Sequence, residues 1–263
     1  MTKIAFLDAD FIIKTNAIKR DDIDSTLFDE ILKLPYDIKI TRKILNEVKG
    51  PLQKKLINYI VQGQLSIIDN TEYFNLTTTI LGVDAQQRMI LSEIKKICVE
   101  LTNSEDLYNK FFIKLEILHS MSCSMDDFCK EFNKIVLNSA NDNHIGELTV
   151  LLNISLIDRM GTAEILSLLS HDTYARRCMF AMSGIASSYD CFTCFSLLQE
   201  ESIIDYDHAK KYASAWLRVY PQNRTVAITK GTSSNGITIH ELMKIIFIDK
   251  NYKILKNGRL KLS

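Results

Sequence analysis

The sequence predicts an α/β fold, a parallel sheet lying between helices, with a helical insertion and a C-terminal extension. Three observations predict it. Nine Gly and three Pro in 263 residues leave too few turn formers for a long all-β architecture. Short β-branched runs alternate with helical patterns in the first seventy residues and again after residue 140, which is the rhythm of parallel strand–helix–strand units. Between these stretches apolar residues recur only at helical spacing. An apolar content of 46% is enough to bury a sizeable core.

Ile4-Ala5-Phe6-Leu7 reads as the first buried strand, and it runs straight into Asp8 and Asp10. Residues 25–34 have a short amphipathic pattern, and "YDIKI" is brief and extended. Thr41 is placed to N-cap a helix through "RKILNEVK", which Gly50-Pro51 stops. A second helix, "LQKKLINYIVQ", closes at Gly63, and "LSIID" follows as a strand.

In the insertion, Asp84 with Gln87 reads as a capping box opening a helix with Ile90, Ile94, Ile97, Cys98 and Leu101 on its apolar face. One further helix carries Leu107, Phe111, Leu115 and Leu118. A third, capped by Ser124 with Asp127, carries Phe128, Phe132, Ile135 and Val136. Each stripe must be buried against something.

The α/β rhythm then resumes. "NDNHIGELTVLLNISLIDRMG" reads as a helix ending at Gly161, and "AEILSLLSHD" as a buried strand running to Asp172. "TYARRCMFAM" starts another helix. After Gly184, "YDCFTCFSLLQEESII" and "YDHAKKYASAWLRVY" read as two more. "RTVAITK" reads as a strand, Thr238-x-x-Glu241 as a capping box, and the Lys- and Arg-rich tail as a solvated end able to meet a nucleic-acid backbone. The expected units are residues 1–70 plus 140–220 as the core, 71–139 as the insertion and 221–263 as the extension with its basic tail.

Several function classes recede. Zero formal net charge gives no global steering toward nucleic acid, so such binding needs a local patch. No apolar run reaches the length of a membrane span and no secretory signal is visible, so the expected location is the cytoplasm. The six cysteines are expected to be reduced and buried. Cys191 and Cys194 form a CxxC with no second pair to complete a zinc site, and they read as helix core.

The acids carry more. Open parallel sheets bind ligands outside the carboxyl ends of their strands. Asp8 and Asp172 sit at two such ends, Asp10 lies just beyond the first, and Glu47 and Glu147 are on helices next to strands. Carboxylates drawn together there cannot all stay ionised and unpaired. Hard oxygen ligands of this kind suit Mg2+ or Mn2+. Arg176 and Arg177, one helical turn past Asp172, read equally as holders of a substrate phosphate and as a solvated helix face.

At these positions the chain resembles PIN-domain nucleases. "KIAFLDADFII" is similar to their opening strand ending in Asp, "ITRKILNEVKG" to the helix carrying their second acid, "IGELTVLLNISL" to a Gly-Glu helix start, and "EILSLLSHDTYARRCM" to a strand ending in Thr/Ser-x-Asp. The resemblance implies a parallel sheet between helices and a divalent-metal-dependent ribonuclease of toxin or phage-defence type. It implies Asp8, Glu47, Glu147 and Asp172 as the catalytic and metal-binding acids. RNA is implied as substrate over DNA, with an antitoxin or regulatory protein and a second copy of the chain as further partners. Asp10 departs from the usual Ser, Thr or Asn and is an additional metal candidate. Asp142 competes with Glu147 for the third acid. The insertion and the last forty residues have no counterpart.

Two other readings are carried forward. "FLDAD" also fits a haloacid-dehalogenase-type phosphatase, with Asp8 as nucleophile and Asp10 as acid/base, although the only later acidic pair, Asp126-Asp127, sits at a helix start. A PIN-like scaffold that binds without catalysis is the third.

Overall fold

Residues Lys3–Leu7 form β1, and every residue from Ile4 to Leu7 is buried. A strand apolar on both faces needs cover on both, which is the situation at the centre of a parallel sheet flanked by helices. The computed structural model describes residues 3–75, 81–139, 144–182, 186–230 and 233–262. Asp142 lies outside the described residues, as does Gly184.

β1 is the middle strand of a five-stranded sheet. With β2 (Asp37–Thr41), β3 (Ser66–Ile68), β4 (Ile165–Leu169) and β5 (Ser187–Tyr189), its order is β3-β2-β1-β4-β5, and every pairing is parallel. The chain builds outward from β1 in one direction and then returns to build on its other side. The carboxyl ends of β1 and β4 therefore flank a topological switch point, where such sheets leave a crevice. Leu7 pairs with Leu169, so Asp8 and Ser170 emerge level with each other at that edge.

Local chemistry sets the helix starts. Asp8 ends β1 and N-caps α1 (Ala9–Ala17), accepting from the Phe11 amide. Thr26 and Asp29 form a capping box on α2 (Leu27–Ile31). Thr41 ends β2 and caps α3 (Arg42–Glu47), which brings Glu47 back to the sheet edge, and α4 (Gly50–Val61) follows.

The insertion holds four helices among the described residues: α5 (Val83–Thr102), α6 (Asp106–Phe111), α7 (Ile113–Ser120) and α8 (Met125–Asn138). Two details differ from the sequence expectation. α5 starts after Gly82, and Asp84 sits in its first turn paired with Arg88 instead of capping. The expected middle helix is broken at Phe112, which turns the buried face to Leu107, Tyr108, Phe112 and Leu115. Ile90, Ile94 and Ile97 of α5 are fully buried, and α5 packs on α9 (Ile145–Met160) and α10 (Thr173–Met182). The stripes are thus covered by the chain's own core. α9 is buried on nearly all sides, as a helix apolar all round requires.

Beyond β4 the structure departs further. "YDCFTCFSLLQEESII" is not one helix. Its first residue, Tyr189, ends the extra strand β5, and only α11 (Cys194–Glu200) is helical. Cys191 and Cys194 are buried core with free thiols. After α12 (Tyr206–Val219) come β6 (Thr225–Lys230), β7 (Ser233–Thr238), α13 (Ile239–Lys244), a π-helical turn Ile245–Asp249, β8 (Tyr252–Ile254) and β9 (Leu260–Leu262). The four strands make a small mixed sheet of order β7-β6-β9-β8. The basic tail is therefore paired into β8 and β9, with Lys253, Lys256, Arg259 and Lys261 still exposed. Its Leu260 is buried, and the β8–β9 turn is pinned to β5 by the Ser188 amide and hydroxyl, which donate to the Lys256 carbonyl at 3.1 and 2.8 Å. Among the described residues no helix is long and apolar enough to cross a membrane.

Candidate metal centre

Asp8 is 2% exposed. Its Oδ1 accepts from the Phe11 amide at 2.8 Å and its Oδ2 accepts from the Ser170 hydroxyl. Ser170 Oγ in turn accepts from the Asp172 amide at 3.1 Å, and the Ser170 carbonyl accepts from Arg176 Nη1 at 2.7 Å. One buried hydroxyl therefore joins the acid after β1 to the loop that carries the acid after β4. Strong burial dominates the charge state of Asp8 and raises its pKa to about 7. The charges of Glu147 and Asp10 add to the rise, while the bonds from Phe11 and Ser170 oppose it.

Glu47 reaches the same edge from α3. Burial, then the charge of Glu147, raises its pKa to about 7, and Asp8 adds a smaller push. Its counter-charge is Lys43, one helical turn back, whose Nζ lies 3.6 Å from Glu47 Oε1 and donates to the Ser139 carbonyl at 2.9 Å. Lys43 is only 2% exposed, which is unusual for a lysine. Glu47 lies against the first turn of α9, at Gly146, where the absence of a side chain makes room for its carboxylate.

Glu147 follows in that turn. Burial raises its pKa, Asp172 and Asp10 add to the rise, and His144 opposes it. His144 occupies the N-cap of α9 with φ 55°, and one ligand atom from each of His144, Glu147 and Asp172 lies within 4.8 Å of the others. Asp8, Glu47 and Glu147 thus feel one another's charge, and Glu147 also feels that of Asp172, with which it and His144 form one close group.

Asp10 sits at the margin. It is exposed and paired with Lys14 at 2.7 Å on the outer face of α1. Its charge is still felt by Asp8 and Glu147. Arg176 turns inward, bonded to the Ser170 carbonyl and 3.9 Å from Asp190, so it braces the loop that carries Asp172. Arg177 is exposed, with its guanidinium 6.0 Å from the centre of the Tyr174 ring.

Three residues of this edge had no assigned role in the sequence reading. Ser170 was present as the first residue of Ser-x-Asp. Lys43 had a faint signal, a lysine four residues before Glu47 in a stretch that must be buried. His144 had none, because its place depends on a left-handed residue at the start of α9.

The donor set, carboxylates with one imidazole at a sheet edge, fits a divalent cation such as Mg2+ or Mn2+. His144, Glu147 and Asp172 would hold it. The chain matches no family model, no curated protein and no solved structure.

Proposed function

We propose that the protein is a divalent-metal-dependent nuclease that hydrolyses phosphodiesters, with RNA preferred over DNA, of the toxin or phage-defence type that the resemblance to PIN-domain nucleases implies. One observation carries the reading. Glu147 and Asp172 lie with His144 within ligand distance of one another beside a parallel sheet, and burial together with the charge of neighbouring acids raises the pKa of Asp8, Glu47 and Glu147. Keeping this much charge in a partly buried place is costly unless a cation joins it.

A bound divalent ion supplies an activated water and offsets charge on the phosphodiester. The chain's own residues do the positioning. Ser170 holds Asp8 and the Asp172 loop in register, and Arg176 fixes Ser170 through its carbonyl. Lys43 offsets part of the charge of Glu47. The preference for RNA rests on the resemblance alone.

The test is cleavage of single-stranded RNA by the full chain. Cleavage is expected with Mg2+ or Mn2+ and is lost in EDTA. Asp8→Asn and Asp172→Asn each lower it by at least about 100-fold with the fold intact, because a ligand charge goes with little change of volume. Hydrolysis of small phosphomonoesters without cleavage of any nucleic acid overturns the reading in favour of a phosphatase.

A further inference from the structure

A cleft of about 230 Å³ lies between the two sheets, immediately beside Asp172 in the chain. His171 and Thr173, which flank Asp172, line one wall, joined by Asp190 and Phe192 from the segment after β5. The opposite wall is the outer end of β6 around Ala227 and the β8–β9 turn with Arg259. That turn is packed tightly down. Gly258 has φ 78°, and a Cβ there would come within 3.0 Å of Arg176 Cδ and of the Ser188 carbonyl. The C-terminal sheet therefore completes the cleft.

The lining is specific in chemistry. Arg176 is 8% exposed, and its Nε is buried without a hydrogen-bond partner, as is His171 Nδ1. Buried polar atoms in folded proteins are nearly always satisfied, so these two call for a bridging water or for a ligand that shifts the side chains covering them. Arg176 and Arg259 both line the cleft, as does one carboxylate, Asp190, whose Oδ2 lies 3.9 Å from Arg176 Nη2. Asp190 Oδ1 already accepts from the amides of Phe192 and Thr193. The rings of Phe192 and His171 lie 6.0 Å apart, edge to face, and Phe192, 7% exposed and packed on Trp216, gives the cleft an aromatic edge. The volume falls below the roughly 300 Å³ at which pockets for drug-sized ligands begin, so it has room for one base, with the attached sugar and phosphate at its mouth, and not for several nucleotides.

We propose that this cleft receives one nucleotide unit of the strand lying across the metal centre, its base against Phe192 and His171 and its phosphate drawn by Arg176 and Arg259. The proposal rests on the nuclease reading above and adds to it a base-binding subsite made by the C-terminal extension. Stacking on aromatic rings beside basic side chains is how single strands are held without a duplex. The location follows from the chain, since the residues that line the cleft are the neighbours of Asp172.

The test uses the full-length Asp8→Asn protein with Mn2+ and a single-stranded RNA oligonucleotide carrying 5-iodouridine. Photo-cross-links are expected on Phe192 or His171. Arg259→Glu, which changes an exposed side chain, and Ala227→Trp, which fills the cleft, are each expected to weaken strand binding about tenfold or more. If wild-type protein cleaves RNA, cross-links fall elsewhere and both variants bind like the parent, the cleft proposal is overturned and the nuclease reading stands. Cross-linking of free iodouridine monophosphate in the cleft, with the strand bound elsewhere, overturns the strand placement and makes the cleft an effector site. If the wild type neither binds nor cleaves any nucleic acid, the nuclease reading fails and the proposal goes with it.

Discussion

The carboxylate of Glu47 occupies the space that a side chain on residue 146 would need. A Cβ on Gly146 would lie 2.3 Å from Glu47 Oε2 and 2.7 Å from Oε1. Gly146 is in the first turn of α9, one residue before Glu147. The missing side chain is what lets acids on two different helices approach each other.

Gly146→Ala therefore separates site from fold. The clash is with the far end of a flexible side chain, so Glu47 moves and the helix stays. Alanine is favoured over glycine inside a helix by up to about 1 kcal/mol, so stability is expected to hold or rise. Metal affinity and cleavage are expected to fall about 10- to 100-fold, as for other displaced supports of metal sites. Titration calorimetry and thermal melting check the two halves. Unchanged affinity in a folded variant would remove Glu47 from the centre.

The raised pKa of Asp8 predicts a pH dependence of stability in the metal-free protein. Its folded value is about 7 against an ordinary 3.8, so the folded state binds the proton more tightly than the unfolded state. Stability from this group is present below pH 4 and declines as pH rises toward about 7, by at most about 1.4 kcal/mol per unit. Lowered acids elsewhere, such as Asp29 and Glu30, push the other way. The comparison must therefore be with Asp8→Asn, which keeps the N-cap. Urea unfolding in EDTA from pH 4.5 to 7.5 is expected to show the wild type losing stability relative to the variant as pH rises. A gap that stays constant with pH would contradict the assignment.

His144 predicts a metal preference. Imidazole is a better ligand for transition-metal ions than for Mg2+, whereas carboxylates serve both. The protein is expected to bind Mn2+ more tightly than Mg2+, and His144→Ala to narrow that gap, by more loss for Mn2+ than for Mg2+. Equal losses for both ions in calorimetry would place His144 outside the ligand set.

The insertion is expected to behave as core. Ile94 is fully buried in α5, the helix that packs on α9 and α10. Ile94→Ala should cost about 2–5 kcal/mol in a single cooperative unfolding transition. A separate early transition, or a cost under about 1 kcal/mol, would mean that the helices of the insertion fold apart from the sheet.

The parallel sheet was legible because its central strands are continuous apolar runs and Thr41 caps the helix after β2 in an ordinary way. β5 was not. Ser187–Tyr189 has no apolar run, and its strand character comes from pairing with β4. The C-terminal sheet was hidden for a related reason. "LKNGRLKLS" alternates lysine with leucine, which reads as a solvated tail until β6 is found beside it. Asp8 and Asp172 were legible as residues just past strands, Glu147 at a helix start and Glu47 on the helix after β2. The features that join them were less so. Ser170 and Gly146 act through distances across the fold, and His144 through a left-handed backbone.

The central claim is that these acids form a metal centre, and the most direct measurement is anomalous diffraction from a crystal of the full chain soaked in Mn2+. The account predicts a manganese peak in contact with the carboxylates of Glu147 and Asp172, next to His144, and no such peak in Asp172→Asn. A folded wild-type protein with no manganese at this edge, or with the same peak retained in the variant, would contradict it.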